Sequence, residues 1–583
     1  MNIKVNQDNT RTESNVSDNT VEKIYQELKD KETHNQQDLV GRVEIEHGYE
    51  DTVEFLNTNY RNFRCITTGE PYIRFVDPEV EIALKDIIDH MNDYTYDGVG
   101  LTQIDLDQFK RSYDFDRITG NTKITKFPEF NRLRNYTNVL GSCFNNCSNL
   151  EEINFSNITT ISGSWCFHNT GLKNINLPNC VSFSTATGGF FADCPNLITF
   201  NAPLLETFQS GSIFQSCNNL TTVYIPNAHP TKVMQNTFYN CKSLVNLTLD
   251  MSNVTELQGS AFENCYNLPP FDISSIIIFG KASLKECHQF VNIEIDSCET
   301  IYQMTFQNCI NLETVRNTVN VTHIDDTAFK GCLKLTLFED FSSVEYIGSQ
   351  VFNETLLAGQ IDLSSCEYIG QKAFSGLTGL TSVINTGSIT RLRTYAFSNC
   401  TNLTSIGDLS GVTDIDSEGL FYNCINLTGE INLSNINIQN GDANQYPTIY
   451  RTFNNCQKIT RVILGNVRSI GYRWNTFDNG RITFYNCIKL HTVDIKHLDY
   501  FTPCEGAFRN TPSMKYFILR QTTPPLYTDD YTKDDIIDLT GFGGSSVQKI
   551  FVPDEAVNTY KVEWSNIASY IYPLSEYVPI VDE

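Results

Sequence analysis

The chain has 583 residues, of which 40% are hydrophobic and 12% aromatic. This composition supports a large buried core and excludes a disordered chain. Aspartate and glutamate outnumber lysine and arginine by 68 to 42, which gives a formal net charge of −26. Because contacts with phosphate groups need a basic surface, this charge argues against nucleic acid or an anionic membrane as the partner.

The first segment, residues 1–50, is polar and predicts one short amphipathic helix. Four apolar residues recur there at helical spacing, namely Val21, Ile24, Tyr25 and Leu28. One narrow apolar stripe cannot form a core alone. The segment is therefore interpreted either as a solvated tail or as an anchor that docks on another protein or on copies of itself.

The second segment, residues 51–130, predicts a small helical domain. Its main helix is expected over Pro78–Met91, with Asp77 as the N-terminal cap and a proline in the first turn. The apolar stripe of this helix consists of Val80, Leu84, Ile87, Ile88 and Met91.

A weak calcium-binding motif follows this helix. Asp93, Thr95, Asp97 and the late Asp105 resemble the ligands of a degraded EF-hand loop. The twelfth position of such a loop needs a bidentate acid, and here it holds Ile104. A helix–turn–helix without metal is the favoured interpretation.

The third segment, residues 131–520, repeats the motif Phe-x-x-Cys-x-x-Leu. Successive copies are 22 to 24 residues apart, apart from steps of 32 residues from Phe421 to Phe453 and 31 residues from Phe453 to Phe484. Full copies start at Phe144, Phe191, Phe214, Phe238, Phe262, Phe306, Phe329, Phe397, Phe421 and Phe484. A fixed period of this size predicts a mostly β and irregular solenoid of about 16 turns.

Each repeat divides into two halves. Leu220, Val223 and Ile225 fit the short strand of a leucine-rich repeat, which Pro226 ends because proline lacks the N–H of a ladder. The second half is clearest over residues 346–352, where an apolar residue and a glycine or polar turn lead into a short segment that ends in phenylalanine. This short segment is predicted to be a helical turn or bend that packs its phenylalanine inward. Stacked turns would place each phenylalanine on the one below and build a continuous core.

The cysteines follow the repeat. Twelve of the 19 occupy the cysteine position of the motif or its weaker copies. The same position holds Thr170, Thr355, Leu377 and Thr511 in other repeats. A position that tolerates threonine or leucine is predicted to be a small buried site with a reduced thiol, with disulfides or metal ligation as the alternatives.

Two sets of residues are candidates for ligand binding. The first set is predicted to point outward from the strands: Tyr224, Thr248, Asp272, Glu294 and Arg316. The second set lies in the insertions that lengthen two repeats: Tyr446, Tyr472 and Trp474. Insertions in a solenoid often mark its binding face. Outward residues of a strand are usually polar whether or not they bind a ligand.

No catalytic motif is present in the sequence. The nine histidines are scattered, without the spacing of a metal site, and there is no nucleophile elbow, phosphate-binding loop or dinucleotide fingerprint. The sequence therefore predicts a binding protein that is not an enzyme and needs no cofactor. It contains no apolar run long enough to insert into a membrane.

The repeat resembles the BspA-like, or Treponema-type, leucine-rich repeats, through Phe-x-x-Cys-x-x-Leu-x-x-Val/Ile-x-Ile/Leu-Pro and Ile-Gly-x-x-x-Phe. The fourth segment, residues 521–583, is similar to the end of such proteins in gut Bacteroidetes and their crAss-like phages, and is predicted to cap the array. The resemblance implies a surface binder for a protein or glycan.

The sequence is compatible with two locations for the protein, a virion or a cell surface. The N-terminus lacks an apolar signal core, which favours a virion attachment protein such as a head or tail fibre. Its N-terminal region would contact other virion proteins, and phage fibres are commonly trimeric. The alternative is a cell-surface adhesin of a bacterium or protist that is exported by an unusual route.

Overall fold

A computed structural model describes residues 71–91, 94, 96, 98–110, 115, 117–139, 141–183, 188–416, 418–438, 448–449, 451–470, 483–500, 508–525 and 547–581. The chain divides into two compact units, one formed by residues up to Asn253 with Cys265–Leu268 and the other by Val254–Asn264 with Pro269–Glu583. Both contain parallel solenoid turns, about 17 in the part of the chain that the structure describes. This confirms the predicted fold class, with about one more turn than the sequence indicated.

The described α-helices are short and lie outside the repeats. Helix Pro78–Asp89 is capped by Asp77, whose carboxylate accepts a hydrogen bond from the Glu79 N–H, and it buries Val80, Leu84, Ile87 and Ile88. The predicted helix is thus confirmed, although it ends two residues earlier. The other α-helices are Gln103–Leu106 and Val557–Glu563. Short 3-10 helices are Pro128–Arg132, Thr386–Ser388, Asp554–Ala556, Ser565–Tyr570 and Leu574–Glu576.

Most turns of the solenoid hold two short strands in separate parallel sheets. We call the strand that follows the repeat leucine the front strand and the next one the side strand. Front strands of the first unit are Glu152–Ile153, Asn174–Asn176, Thr199–Asn201, Thr222–Tyr224 and Asn246–Leu247, with Lys126–Phe127 before them. Its side strands are Asn138–Val139, Thr160–Ile161, Ser182–Phe183, Thr207–Phe208 and Lys232–Val233.

The second unit repeats this arrangement. Its separate front strands are Asn292–Glu294, Thr314–Arg316, Leu337–Phe338, Ala358–Asp362, Gly379–Ile384 and Ser405–Ile406. Its side strands are Glu256–Leu257, Ile278–Phe279, Thr300–Ile301, His323–Ile324, Tyr346–Ile347, Tyr368–Ile369, Arg391–Leu392 and Asp414–Ile415. The predicted turn that ends in an inward phenylalanine is confirmed, because residues 349–354 form turns and Phe352 is buried. Ahead of it, Tyr346–Ile347 pairs in parallel with Tyr368–Ile369 as a strand, which the sequence did not predict.

The last turns share one sheet of seven strands. These strands are Thr428–Ile438, Thr448–Ile449, Lys458–Ile470, Thr492–Tyr500, Tyr516–Leu519, Lys549–Val552 and Ile571–Pro573. The two longest run through the positions of both a front and a side strand. The last two belong to the predicted cap segment, where Ile571–Pro573 pairs with Lys549–Val552.

The repeat phenylalanines form a buried ladder in each unit. In the second unit, the Phe329 ring stacks on Phe306 at 5.3 Å and on Phe352 at 5.6 Å between centroids, with interplanar angles of 8° and 5°. In the first unit, Phe144, Phe167 and Phe191 stack in the same way. The predicted stacking of phenylalanine on phenylalanine is confirmed.

The cysteine position is a buried hydrogen-bonding site. The Sγ of Cys241 donates to the Phe214 carbonyl of the preceding turn at 3.2 Å, and the same oxygen accepts the Cys217 N–H. Thr170 occupies the same position and donates its hydroxyl to the Phe167 carbonyl of its own turn at 3.0 Å. The position therefore suits a small side chain with one donor. All 17 described cysteines are buried, which confirms the predicted small buried site, while Cys65 and Cys504 lie outside the described residues.

The residue before the repeat cysteine is held in a left-handed turn. Its φ is +59° at Asn399 and +64° at Asn423, a conformation that asparagine tolerates better than most residues. The Asn423 amide donates to the Asn399 side-chain oxygen at 3.0 Å, and Asn455, Asn486 and Asn510 continue the row at 2.5–2.6 Å. Backbone conformation and side-chain pairing thus both favour asparagine.

The buried thiols are expected to resist alkylation in the folded protein. Burial raises the pKa of Cys147 to about 11 and that of Cys298 to about 12, and the thiolate is the reactive form. Iodoacetamide at neutral pH should leave the 17 described cysteines unlabelled in the folded protein. It should label nearly all 19 cysteines after unfolding without reductant. If mass spectrometry finds that pairs of cysteines stay unlabelled in the unfolded chain, those cysteines form disulfides and the prediction is wrong.

Candidate binding surface on the front strands

The front strands present alternate side chains to solvent, as the sequence predicted. In Thr222–Tyr224 the central Val223 is buried and the Tyr224 ring is 45% exposed. Thr248 is exposed, but its hydroxyl accepts the Ile225 N–H at 2.7 Å. Thr248 therefore supports the backbone and has less capacity for a ligand. The candidates Tyr446, Tyr472 and Trp474 lie outside the described residues.

In one turn of the second unit the front strand is missing. Residues 269–273 contain no strand, because Pro269 and Pro270 lack the N–H groups that a ladder requires. The next front strand, Asn292–Glu294, therefore begins a new sheet, paired in parallel with Thr314–Arg316.

The interruption creates a surface depression of about 430 Å³. Its lining includes Phe271, Asp272, Asn292, Glu294 and Arg316. Three of these residues, Asp272, Glu294 and Arg316, are ligand candidates from the sequence, and the structure brings them together. Tyr224 and Thr248 are not part of this depression.

The charged groups of the depression differ in their availability. Glu294 and Arg316 are exposed register neighbours on adjacent strands, and within the part of the chain that the structure describes neither side chain forms an ion pair. The Asp272 carboxylate accepts the Ser274 N–H at 2.9 Å, and this hydrogen bond holds the pKa of Asp272 below its usual value. Asp272 therefore remains a fixed negative charge, while Glu294 and Arg316 can each take a new partner.

Phe271 supplies the apolar part of the depression, and the sequence analysis missed it. Its ring contacts Phe262 at 5.3 Å and Phe290 at 5.4 Å between centroids, so the core holds it in place. Asn292 was missed as well, and its Oδ1 accepts a hydrogen bond from the Thr314 hydroxyl at 2.7 Å. The pair Pro269–Pro270 was the sequence signal, since two prolines in a strand position indicate an interrupted ladder.

Nearer the C-terminal end of the second unit, the same face is covered. Thr492, Asp494, Ile518 and Phe551 occupy front-strand positions that point outward elsewhere, yet all four are buried. The ring of Tyr577 lies against Phe551, at 5.2 Å between centroids. The C-terminal segment thus occupies this stretch, and a ligand cannot use it.

The candidate calcium loop is only partly within the described residues. Asp93, Thr95 and Asp97 fall outside them. The Asp105 carboxylate accepts hydrogen bonds from the Thr102 N–H and the Tyr94 hydroxyl, both at 2.6 Å, as part of a helix cap. Across the described ranges no group of three or more potential metal ligands occurs, and no described helix is long and apolar enough to cross a membrane.

The repeats, their ladders and the residue pattern agree with one family of proteins. The family model described as "BspA type Leucine rich repeat region (6 copies)" matches residues 120–231, 207–336, 299–428 and 428–529. The chain belongs to this family. The match begins before residue 131 and ends after residue 520, so it includes the predicted solenoid segment.

Several solved structures are similar to the chain. A leucine-rich repeat protein from Bacteroides ovatus is 16% identical, with 69% of this chain and 92% of that chain covered and a TM-score of 0.42. A leucine-rich cell surface protein from Faecalibacterium prausnitzii is 18% identical, with coverages of 58% and 83% and a TM-score of 0.26. No curated protein matches the chain.

Proposed function

We propose that the protein is a non-enzymatic attachment protein that binds a protein or glycan displayed on a host surface. The observation that carries this proposal is the depression formed by Phe271, Asp272, Asn292, Glu294 and Arg316. It combines an aromatic ring with acidic, basic and amide side chains, and these groups together can recognise a polar ligand on a surface. The family supports a binding role, because stacked repeats build extended binding surfaces.

The position of the depression also favours binding. It lies where the front strands are open, whereas the C-terminal segment buries the outward positions around Asp494. A large ligand on a surface can reach an open strand face more easily than an enclosed cavity. The exposed Glu294 and Arg316 side chains offer one acceptor and one donor group, carried on adjacent strands that pair in parallel.

The setting that we propose is a virion, with residues 1–50 as the anchor through Val21, Ile24, Tyr25 and Leu28. This part rests on the resemblance to phage proteins and on the apolar stripe of the segment. A cell-surface adhesin is the alternative. Capsid and tail genes beside the coding gene would support the virion, and polysaccharide-use genes would support the adhesin.

Substitutions in the depression are expected to weaken attachment. The double variant Glu294→Ala and Arg316→Ala removes both available charged groups, so binding should fall at least about tenfold, the loss that one good polar contact represents. The measurement is binding of fluorescent protein to a glycan array and to intact gut Bacteroidetes cells.

The matched control is Arg391→Ala, which removes an exposed arginine from a side strand of the same unit. It should leave attachment unchanged. If the double variant binds as well as the unmodified protein, the depression is not the binding site, and attachment must use another surface.

A further inference from the structure

The side chain of Asn292 is held in one orientation at the depression on the front strands. Its Oδ1 accepts a hydrogen bond from the Thr314 hydroxyl of the neighbouring strand at 2.7 Å. The amide carries its two N–H donors on the other atom, Nδ2, and within the described residues Nδ2 has no hydrogen-bond partner. Because Asn292 lines the depression, these two donors are available to a ligand there.

Glu294 places an acceptor beside these donors. Asn292 and Glu294 are the two exposed residues of their strand, with the buried Ile293 between them. Residues two apart in a strand point to the same face, and both side chains line the depression. Since the Glu294 carboxylate has no ion-pair partner in the part of the chain that the structure describes, one strand presents an available donor and an available acceptor to the same space.

The Phe271 ring adds an apolar contact. It is partly exposed and lines the depression, while Phe262 and Phe290 hold it from the side of the core. A ligand pocket commonly joins such an aromatic surface to a few polar groups that fix the orientation of the ligand. The depression therefore suits a chemical group that combines one acceptor, one donor and a small apolar end.

We propose that the depression binds the acetamido group of a 2-acetamido sugar, which names the ligand class of the attachment site and rests on that proposed function. The sugar amide C=O accepts a hydrogen bond from the Asn292 Nδ2, its N–H donates to the Glu294 carboxylate, and its methyl group packs on the Phe271 ring. Because an amide is planar and trans, its C=O and N–H point in opposite directions and need a donor on one side and an acceptor on the other.

The remaining side chains favour a sugar over a peptide amide. Asp272 and Arg316 also line the depression, and they bind the ring hydroxyls that surround the acetamido group of a sugar. A peptide amide brings no such hydroxyls. Among sugars, D-glucose has a hydroxyl in place of the acetamido group and offers no methyl to Phe271. D-glucosamine offers its ammonium group to Glu294 but no acceptor to Asn292.

The test is a ligand-observed NMR titration of the full chain with N-acetyl-D-glucosamine. This sugar should bind saturably, with broadening of its acetyl methyl signal. D-glucose, D-glucosamine and N-acetylglycinamide, which is an amide without a sugar ring, should each bind at least about tenfold more weakly, because each leaves part of the site without a partner.

Two variants test the roles of the named groups. Asn292→Asp keeps the oxygen that accepts from Thr314 and replaces the Nδ2 donor with a second oxygen, so binding of N-acetyl-D-glucosamine should fall at least about tenfold. Thr314→Val removes the hydroxyl that orients the amide, so the preference for N-acetyl-D-glucosamine over D-glucose should fall. The matched control Thr199→Val removes the equivalent hydrogen bond to Asn174, also 2.7 Å long, in the first unit, and should leave this preference unchanged.

Thermal melts establish that each variant is folded, and Asn292→Asp keeps the test decisive if Thr314→Val unfolds. The proposal is overturned if N-acetyl-D-glucosamine does not bind, if D-glucose or N-acetylglycinamide binds equally well, or if folded Asn292→Asp binds the sugar as tightly as the unmodified protein. If the double variant Glu294→Ala and Arg316→Ala still loses attachment to cells in that case, the depression remains the attachment site and only its ligand class is wrong. The two proposals can therefore fail separately.

Discussion

Replacing Phe329 with alanine is expected to lower the free energy of unfolding by about 3–5 kcal/mol. The Phe329 ring is fully buried and touches aromatic rings on three sides. It stacks between Phe306 and Phe352 and meets the edge of Phe338 at 5.9 Å. Truncation removes these contacts and leaves a cavity, which the neighbouring turns cannot close because their own rings are held by the next turns of the ladder.

The measurement is a denaturant titration combined with hydrogen exchange of the turns around residue 329. Because a repeat array can unfold in parts, exchange should rise most in the turns that contain Phe306 and Phe352. The control is Tyr302→Ala, which removes a ring that is 42% exposed in the same unit and should change stability by less than about 0.5–1 kcal/mol. An unchanged unfolding midpoint for Phe329→Ala would mean that this ring does not support the core.

The features that the sequence predicted are those repeated in many turns. Residues equivalent to Phe329 and Cys332 recur at nearly constant steps along the chain. Each turn needs an aromatic ring at the first position and a small donor at the second, so the same residue types return in most turns. The front strands were predictable for the same reason, since the buried Val223 alternates with the exposed Tyr224.

The features that the sequence did not predict are local or very short. A side strand such as Tyr346–Ile347 has two residues, too few to display an alternating pattern, and only pairing with the next turn defines it. The depression depends on one missing strand at Pro269–Pro270. Glu129 is a single acid in an acidic chain, and only the fold shows that it is buried.

The row of asparagines before the repeat cysteines illustrates an intermediate case. Asn423 and Asn455 are visible in the sequence as part of Phe-x-Asn-Cys. Their structural role is evident only from the left-handed φ at each turn and from the 2.5 Å hydrogen bond between their side chains. The recurrence of asparagine is therefore visible in the amino-acid sequence, whereas the physical reason for it is visible only in the structure.

A second buried charge has a structural role, at Asp494. This side chain is 1% exposed and accepts hydrogen bonds from the Arg520 Nε at 2.7 Å, the Arg520 Nη2 at 2.8 Å and the Arg461 Nη2 at 3.1 Å. Arg461 also contacts Glu430 at 3.0 Å. The carboxylate thus joins neighbouring strands beneath the region that Tyr577 covers.

Asp494→Ala is expected to destabilise the protein by about 2–4 kcal/mol, because it leaves two half-buried guanidinium groups without their shared carboxylate. Asp414→Ala is the matched control: Asp414 is 52% exposed and also shares an arginine, Arg393, with a second acid. That loss should be about 0–1 kcal/mol. Denaturant titrations at low and at molar salt test the difference, since salt screens the exposed pair more than the buried one. Equal losses for the two variants would show that the burial of Asp494 adds nothing to its effect on stability, and that the C-terminal segment does not seal this part of the sheet.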